Sequence, residues 1–92
     1  MIKIGSSVFV KTVTNYFVGT ITEVDTAPDG AVRSITLEPA CWVADTARRQ
    51  SQFLTEGPSE QSEIERYPGA VMVPWHCVTE VSPWSHAIPE SR

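Results

Sequence analysis

The stretch TVTNYFVGTITEVD, residues 12–25, decides the fold of this 92-residue chain. Just before it, Val8 and Val10 stand at alternate positions, which is the period of a β-strand. Asn15 tolerates a positive φ angle, so a tight turn at this position predicts a β-hairpin. Gly19 lies inside the second predicted strand, where a glycine indicates a bend, a bulge or a close backbone approach.

Three more strands are predicted downstream of this hairpin. A turn at APDG (residues 27–30) leads into AVRSITLEPA (31–40), and Pro39 is expected to end that strand because proline cannot donate to a ladder. AVMV (70–73) and CVTEV (77–81) are the last two strands. The pattern predicts a mainly β fold: a small, five-stranded, strongly bent antiparallel barrel.

One short helix is predicted between strands 3 and 4, over residues 45–56. Asp45 or Thr46 is expected to cap it, and Gly57 ends it. The polar, acidic segment 57–69 is predicted to be a surface loop.

A single domain is expected in a chain of this length. Residues 1–82 are predicted to form the barrel, and residues 83–92 an extended tail anchored by Trp84.

The net charge of −4 argues against a binder of duplex DNA, because such binding relies on Lys and Arg to neutralise phosphates. No apolar run is long enough to span a bilayer, so no membrane partner is expected. No signal peptide is recognisable at the start of the sequence, which predicts a cytoplasmic location.

Two cysteines, Cys41 and Cys77, are predicted to be small buried hydrophobic residues. A zinc site that combines them with His76 and His86 is conceivable, but no metal-ligand spacing supports it. We therefore predict no metal and no cofactor.

No catalytic constellation is recognisable. His76 and Cys77 are neighbours on a predicted strand, so their side chains are expected to point to opposite faces. No glycine-rich phosphate loop is present either. The sequence therefore predicts a protein that is not an enzyme.

Binding is better supported, by aromatic residues and by the segment ACWVADTARRQSQF (residues 40–53). At a helix start, free N–H groups, a hydroxyl and a guanidinium would make an anion site, and a neighbouring aromatic ring could stack on a base. The alternative is a capped helix with solvated arginines. The predicted ligand-binding residues are Tyr16, Trp42, Asp45, Thr46, Arg48 and Arg49.

Two spans resemble the motifs of Sm and Sm-like proteins, GTITEVD (residues 19–25) with SITLEPA (34–40), and VMVPWHCVTEV (71–81). The matching positions are Gly19, Ile21, Asp25, Ile35, Leu37, Ala40, Val73, Val78 and Val81. The resemblance implies an Sm-like or SH3-like barrel. The base-reading residues differ: the loop APDGAVRS lacks asparagine, and Pro74-Trp75 stands where the family has Arg-Gly. We therefore expect weak RNA binding.

A second resemblance covers nearly the whole chain, through the segments TVTNYFVG, ACWVADT and PWSHAIP. They are similar to a family of small proteins of tailed phages and their bacterial hosts, which would place the protein in the host cytoplasm. The hypothesis is a non-enzymatic, homo-oligomeric phage-type protein that captures a small nucleotide or other small anion, for example to sequester a host defence signal. The alternatives are a virion accessory protein, such as a capsid decoration or tail-associated piece, and an Sm-like RNA-binding protein.

Overall fold

The structure, a computed structural model, describes residues 2–91. Within that range the chain forms six strands and one short α-helix. In chain order the elements are β1 (Ser7–Thr12), β2 (Tyr16–Thr26), β3 (Val32–Asp45), α1 (Gln50–Glu56), β4 (Glu63–Arg66), β5 (Val71–Pro74), a 3-10 turn (Trp75–Cys77) and β6 (Val78–Pro83). The predicted mainly β, antiparallel fold is confirmed, whereas the predicted number of five strands is wrong.

The strands form one antiparallel sheet in the order β4-β3-β2-β1-β6. Strand β3 has 14 residues, and the edge that does not pair with β2 has room for two strands. β5 pairs with the first half of this edge and β4 with the second half. Across residues 2–91, β5 and β6 do not pair with each other, so the sheet is not closed as a barrel would be. We call the gap between β5 and β6 the seam.

The hairpin between β1 and β2 forms at the predicted position, although Asn15 does not adopt the positive φ on which the prediction rested. The Thr12 backbone N–H donates to the Asn15 carbonyl at 2.8 Å, and the Asn15 N–H donates to Thr12 Oγ1 at 2.9 Å. The threonine side chain therefore closes the turn together with the backbone. The register that follows places Val10 opposite Phe17 and Val8 opposite Gly19, so these residues share one face of the sheet.

Gly19 marks the point where β2 bends against β3. A Cβ atom at this position would lie 2.8 Å from the Pro39 carbonyl oxygen and 2.9 Å from Leu37 Cβ, so the backbones approach too closely for a side chain. The register shifts here, from Gly19 opposite Ala40 to Ile21 opposite Leu37, which leaves an extra residue on β3. Of the alternatives predicted for Gly19, the close backbone approach is confirmed, and the extra residue of the adjoining bulge lies on β3 rather than on the strand that contains Gly19.

Pro39 does not end the third strand, as predicted, because β3 runs through it to Asp45. The proline lies within the register shift, where a bulge leaves a residue outside the ladder and no N–H is required. The strand therefore tolerates a residue that would break a regular central ladder.

Both faces of the sheet are apolar. The first face carries the inner cluster, and the second carries the outer cluster, to which α1 contributes Phe53 and the tail contributes Trp84. The inner cluster consists of Val8, Val10, Phe17, Ile21, Ile35, Leu37, Ala40 and Val73. The outer cluster consists of Phe9, Val18, Cys41, Val43, Phe53, Ile64 and Trp84. Neighbouring residues of β1 and β3 therefore alternate between two buried cores.

The helix is shorter than predicted. α1 begins at Gln50 rather than Asp45, has seven residues, and ends at Gly57, whose φ of 83° gives the expected glycine C-cap. The segment 57–69, predicted to be a loop, contains strand β4, because Ile64 fills the outer cluster from this edge. Across the described residues, no helix has the length and apolar character needed to cross a membrane.

The tail after β6 runs across the outer face and is fastened at several places, including a bond between His86 Nε2 and the Leu54 carbonyl at 2.9 Å. Trp84 is 4% exposed, its ring lies 5.2 Å from that of Phe53, and its indole N–H donates to the Ala87 carbonyl at 3.1 Å. Arg66 donates to the Ile88 carbonyl at 3.1 Å and to the Pro89 carbonyl at 3.2 Å. Trp84 is thus the anchor of the tail, as predicted.

Candidate functional site

The structure does not bring the two predicted stacking residues together. Tyr16 lies directly opposite Val43, whereas Trp42 lies opposite Phe17 and Glu65. Since successive residues of a strand point to opposite faces, Tyr16 and Trp42 lie on different sides of the sheet. Tyr16 packs against the outer cluster, with its ring 5.6 Å from that of Phe9. Trp42 is half-buried at the end of the inner face.

Asp45 and Thr46 shape the connection after β3 and do not cap the helix. Asp45 Oδ1 accepts the Ala47 N–H at 2.8 Å, and this bond supports the positive φ of 59° at Ala47. Thr46 Oγ1 donates to the Arg48 carbonyl at 2.6 Å. Both side chains are therefore occupied by local turn bonds, and the predicted helix caps are wrong.

The two predicted arginines have different surroundings. Arg48 is half-buried and its Nη1 lies 3.0 Å from Glu56 Oε1, which offsets its charge. Arg49 is exposed and occupies the N-cap position, with no side-chain capping bond. The predicted anion site depended on free N–H groups at the start of a helix that begins at Asp45 or Thr46. The helix instead begins at Gln50 and has seven residues, and Arg48 is paired with Glu56. Ligand binding by these residues stays a prediction.

A different part of the fold forms a cleft, which we call the β6 cleft. It lies along β6, next to the seam, and has a volume of about 590 Å³. Besides β6, it is lined by Trp75 and by five residues near the start of the chain: Ile2, Lys3, Ser6, Ser7 and Val8. Ligand sites commonly have volumes of about 300–1,000 Å³, so the cleft is large enough for a small organic molecule.

The apolar wall of the β6 cleft is continuous with the inner cluster. Ile2, Trp75, Val78 and Val81 all line the cleft, and each is half-buried against that cluster. A half-buried tryptophan presents a rigid aromatic surface that costs little entropy to order. The wall can therefore receive a flat, apolar group without rearrangement of the core.

Polar groups surround this wall. The polar residues that line the cleft are Lys3, Ser6, Ser7, Thr79, Glu80 and Ser82. Glu80 Oε1 accepts a hydrogen bond from Gln50 Nε2 at 3.0 Å. An apolar wall with a few polar groups at its rim is the usual composition of a ligand site.

Trp75 is the residue by which the sequence could have indicated this cleft. Trp75 follows Pro74 between two short strands, so it lies in a connection rather than in a ladder. A large aromatic residue in such a connection is free to face a cleft. The position of residues 2–8 beside the cleft could not be predicted from the sequence. It depends on a hydrogen bond that the Gly5 N–H donates to the Ile21 carbonyl at 2.7 Å.

The two cysteines, both predicted to be buried, have different surroundings. Cys41 is fully buried in the outer cluster, and burial raises the pKa of its thiol to about 11. Cys77 is half-buried in the 3-10 turn. Among residues 2–91, no three His, Cys, Asp or Glu side chains lie close enough together to hold a metal ion.

None of the protein families, curated proteins or solved structures compared with this chain matches it. The assignment of a function therefore depends on the geometry of the described residues.

Proposed function

We propose that this protein is a non-enzymatic binding protein that captures a small nucleotide in the β6 cleft. The observation that carries this proposal is the combination, in one cleft, of the half-buried Trp75 ring with the Lys3 ammonium and several hydroxyl groups. A nucleotide presents the complementary groups, namely a flat base, a sugar with hydroxyls and an anionic phosphate.

Each part of the ligand has a match in the cleft. Stacking of a base on an aromatic side chain is worth about 1–3 kcal/mol and tolerates any base. The Ser6 hydroxyl can exchange hydrogen bonds with the sugar, the Thr79 hydroxyl, which donates to the Lys11 carbonyl, can accept one, and Lys3 can approach the phosphate. Capture requires no catalytic group, which agrees with the prediction of a protein that is not an enzyme.

We also propose that the protein self-associates and that its fold belongs to the Sm-like small barrels. The two sides of the seam, β5 and β6, leave strand edges unpaired within residues 2–91, and unpaired edges readily accept a second chain. A homo-oligomer in the cytoplasm of a phage-infected host would display several identical clefts. Such an assembly would lower the free concentration of a nucleotide signal of host defence.

Thermal melting with a panel of nucleosides and nucleotides tests the proposal. A ligand at 100 times its dissociation constant stabilises the folded state by about 2.7 kcal/mol. For a domain of this size that corresponds to a rise of roughly 10–20 °C in Tm. A panel in which no compound raises Tm would contradict the proposal and favour the virion accessory alternative.

Two matched tryptophan variants locate the site. Trp75→Leu removes the aromatic wall of the cleft, and we expect it to weaken binding roughly tenfold to a hundredfold. Trp42→Leu is the control, since this half-buried tryptophan is not among the residues that line the cleft. The reverse outcome, loss of binding with Trp42→Leu or with Arg49→Gln but not with Trp75→Leu, would return the site to the residues predicted from the sequence.

A further inference from the structure

The last four described residues of the tail all contact one residue, Arg66 of β4. The guanidinium donates from Nη2 to the Ile88 carbonyl at 3.1 Å and from Nε to the Pro89 carbonyl at 3.2 Å. The same Nη2 lies 3.4 Å from Glu90 Oε2, and the Arg66 backbone N–H donates to Ser91 Oγ at 2.7 Å. We call Arg66 together with these four residues the clasp.

The clasp lies beside the buried thiol of Cys41. Cys41 is directly opposite Arg66 in the register of β3 and β4, so both side chains lie on the outer face of the sheet. Ile88 packs against the outer cluster, to which Cys41 belongs, and Pro89 is buried. Burial is the largest cause of the raised pKa of the Cys41 thiol, which keeps it protonated and unreactive while the tail is in place.

The two ends of the tail are held in different ways. At the first end, Trp84 is buried, its ring packs against Phe53, and its backbone N–H donates to the Ser7 carbonyl at 2.9 Å. At the other end, the clasp depends on polar bonds to an arginine side chain that is 28% exposed. Residues 85–91 belong to no strand or helix, and such segments open at a lower free energy than the whole fold.

We infer that the tail is a strap that opens at Arg66 and uncovers Cys41 and the neighbouring part of the outer cluster while the sheet stays folded. Opening breaks the guanidinium bonds to the two tail carbonyls and withdraws Ile88 and Pro89 from the outer face. Trp84 stays in place and serves as the hinge. The inference is independent of any ligand in the β6 cleft. It assigns to the fold a second apolar surface that is covered or uncovered by a local change.

The rate at which iodoacetamide alkylates Cys41 in the full chain tests the inference. Cys77→Ser serves as the background, because it leaves Cys41 as the only thiol. We expect Arg66→Ala to speed alkylation about tenfold to a hundredfold, since it removes charge-assisted hydrogen bonds that hold the strap closed. Arg66→Lys keeps the charge but lacks the planar fork that reaches both carbonyls, so its rate should lie between the two.

Two matched variants separate the clasp from a general effect of charge. Glu90→Gln removes the ion pair of an 81% exposed carboxylate and leaves the carbonyl bonds, so it should change the rate less than about threefold. Arg33→Ala breaks the ion pair with Asp25, away from the tail, and should leave the rate unchanged.

The urea dependence of the alkylation rate separates strap opening from unfolding. Strap opening exposes little surface, so the rate at low urea should depend on urea much less steeply than global unfolding does. Only this shallow part of the rate is compared between variants, so a variant that merely lowers global stability does not count as support. A rate that follows the slope of global unfolding at every urea concentration would overturn the strap.

The variants decide which contact holds the strap. An equal rate for Arg66→Ala and the background protein, or equal effects of Arg66→Ala and Arg33→Ala, would overturn the role of the clasp. If Glu90→Gln speeds alkylation as much as Arg66→Ala does, the bonds to the tail carbonyls do not hold the strap closed and the inference is wrong in its mechanism.

Discussion

Removal of the Trp84 side chain should destabilise the fold more than removal of Trp42. Trp84 is 4% exposed, and it joins the tail to Phe53 of α1 in the outer cluster. Trp84→Ala removes this contact and leaves the Ala87 carbonyl without the indole donor. The tail would then lose its anchor, and the outer cluster would open to water.

The size of the effect follows from the area that the side chain buries. A buried tryptophan covers about 150–250 Å², which at about 25 cal/mol per Å² corresponds to roughly 4–6 kcal/mol as an upper bound. Measured Trp→Ala changes in cores cost about 3–5 kcal/mol. A domain of this length has a total stability of about 5–14 kcal/mol, so Trp84→Ala should remove a large part of it.

Urea denaturation at fixed protein concentration measures the change. With a slope near 1.5 kcal/mol per M, a loss of about 3–5 kcal/mol moves the midpoint down by roughly 2–3 M. Trp84→Phe keeps an aromatic ring and loses the indole N–H, so it should cost less than the alanine variant. Trp42→Ala, at a half-buried position, is the matched control. If Trp84→Ala shifts the midpoint no more than Trp42→Ala, the tail does not seal the outer cluster.

Three further predictions concern other parts of the fold. Gly19→Ala should lower stability by about 1–3 kcal/mol in thermal melting, because its Cβ would lie 2.8 Å from the Pro39 carbonyl oxygen, whereas Gly69→Ala, with nothing within 4 Å, should change stability by less than about 0.5 kcal/mol. Burial raises the pKa of the Cys41 thiol from 9.0 to about 11, so its contribution to stability is complete below pH 9 and is lost as the pH rises toward 11; Cys41→Ala should flatten the fall in Tm over that window. Light scattering should give a mass of two or more times the chain mass of 10.2 kDa, and a value equal to the chain mass would contradict self-association.

The sequence predicted those features of the fold that depend on a single residue and its chain neighbours. The hairpin turn beside Asn15, the close approach at Gly19 and the helix stop at Gly57 are confirmed, but only Gly57 uses a positive φ, since Thr12 Oγ1 closes the turn and Gly19 is needed for space. Strand β4 was missed because Ile64 is a single apolar residue in a charged segment, and only the outer cluster explains why it is buried. The continuation of β3 past Pro39 was missed for a similar reason, since the bulge that accommodates the proline depends on its pairing with β2.

The candidate site could be predicted less well than the fold. The segment around Thr46 has the residues of a helix start, but those side chains satisfy a turn, and the helix begins several residues later. Tyr16 and Trp42 lie on opposite faces because of the register of β2 and β3, which the sequence of either strand alone does not reveal. The β6 cleft combines residues from the two ends of the chain, and its pattern of contacts exists only after β1 and β6 have paired.

The pairing of β1 with β6 also determines the order in which the chain can fold. The hairpins β1–β2 and β2–β3 join neighbouring segments, whereas Thr79 of β6 bonds to Lys11 of β1 across 68 positions of sequence. Contacts between distant segments carry a larger entropic cost of loop closure, so we expect β6 to dock after the central hairpins have formed. Its amide protons should then exchange with solvent faster than those of β2, because the last element to dock is among the first to detach. A ligand bound along β6 would slow that exchange, and would hold the late-folding edge of the protein in place.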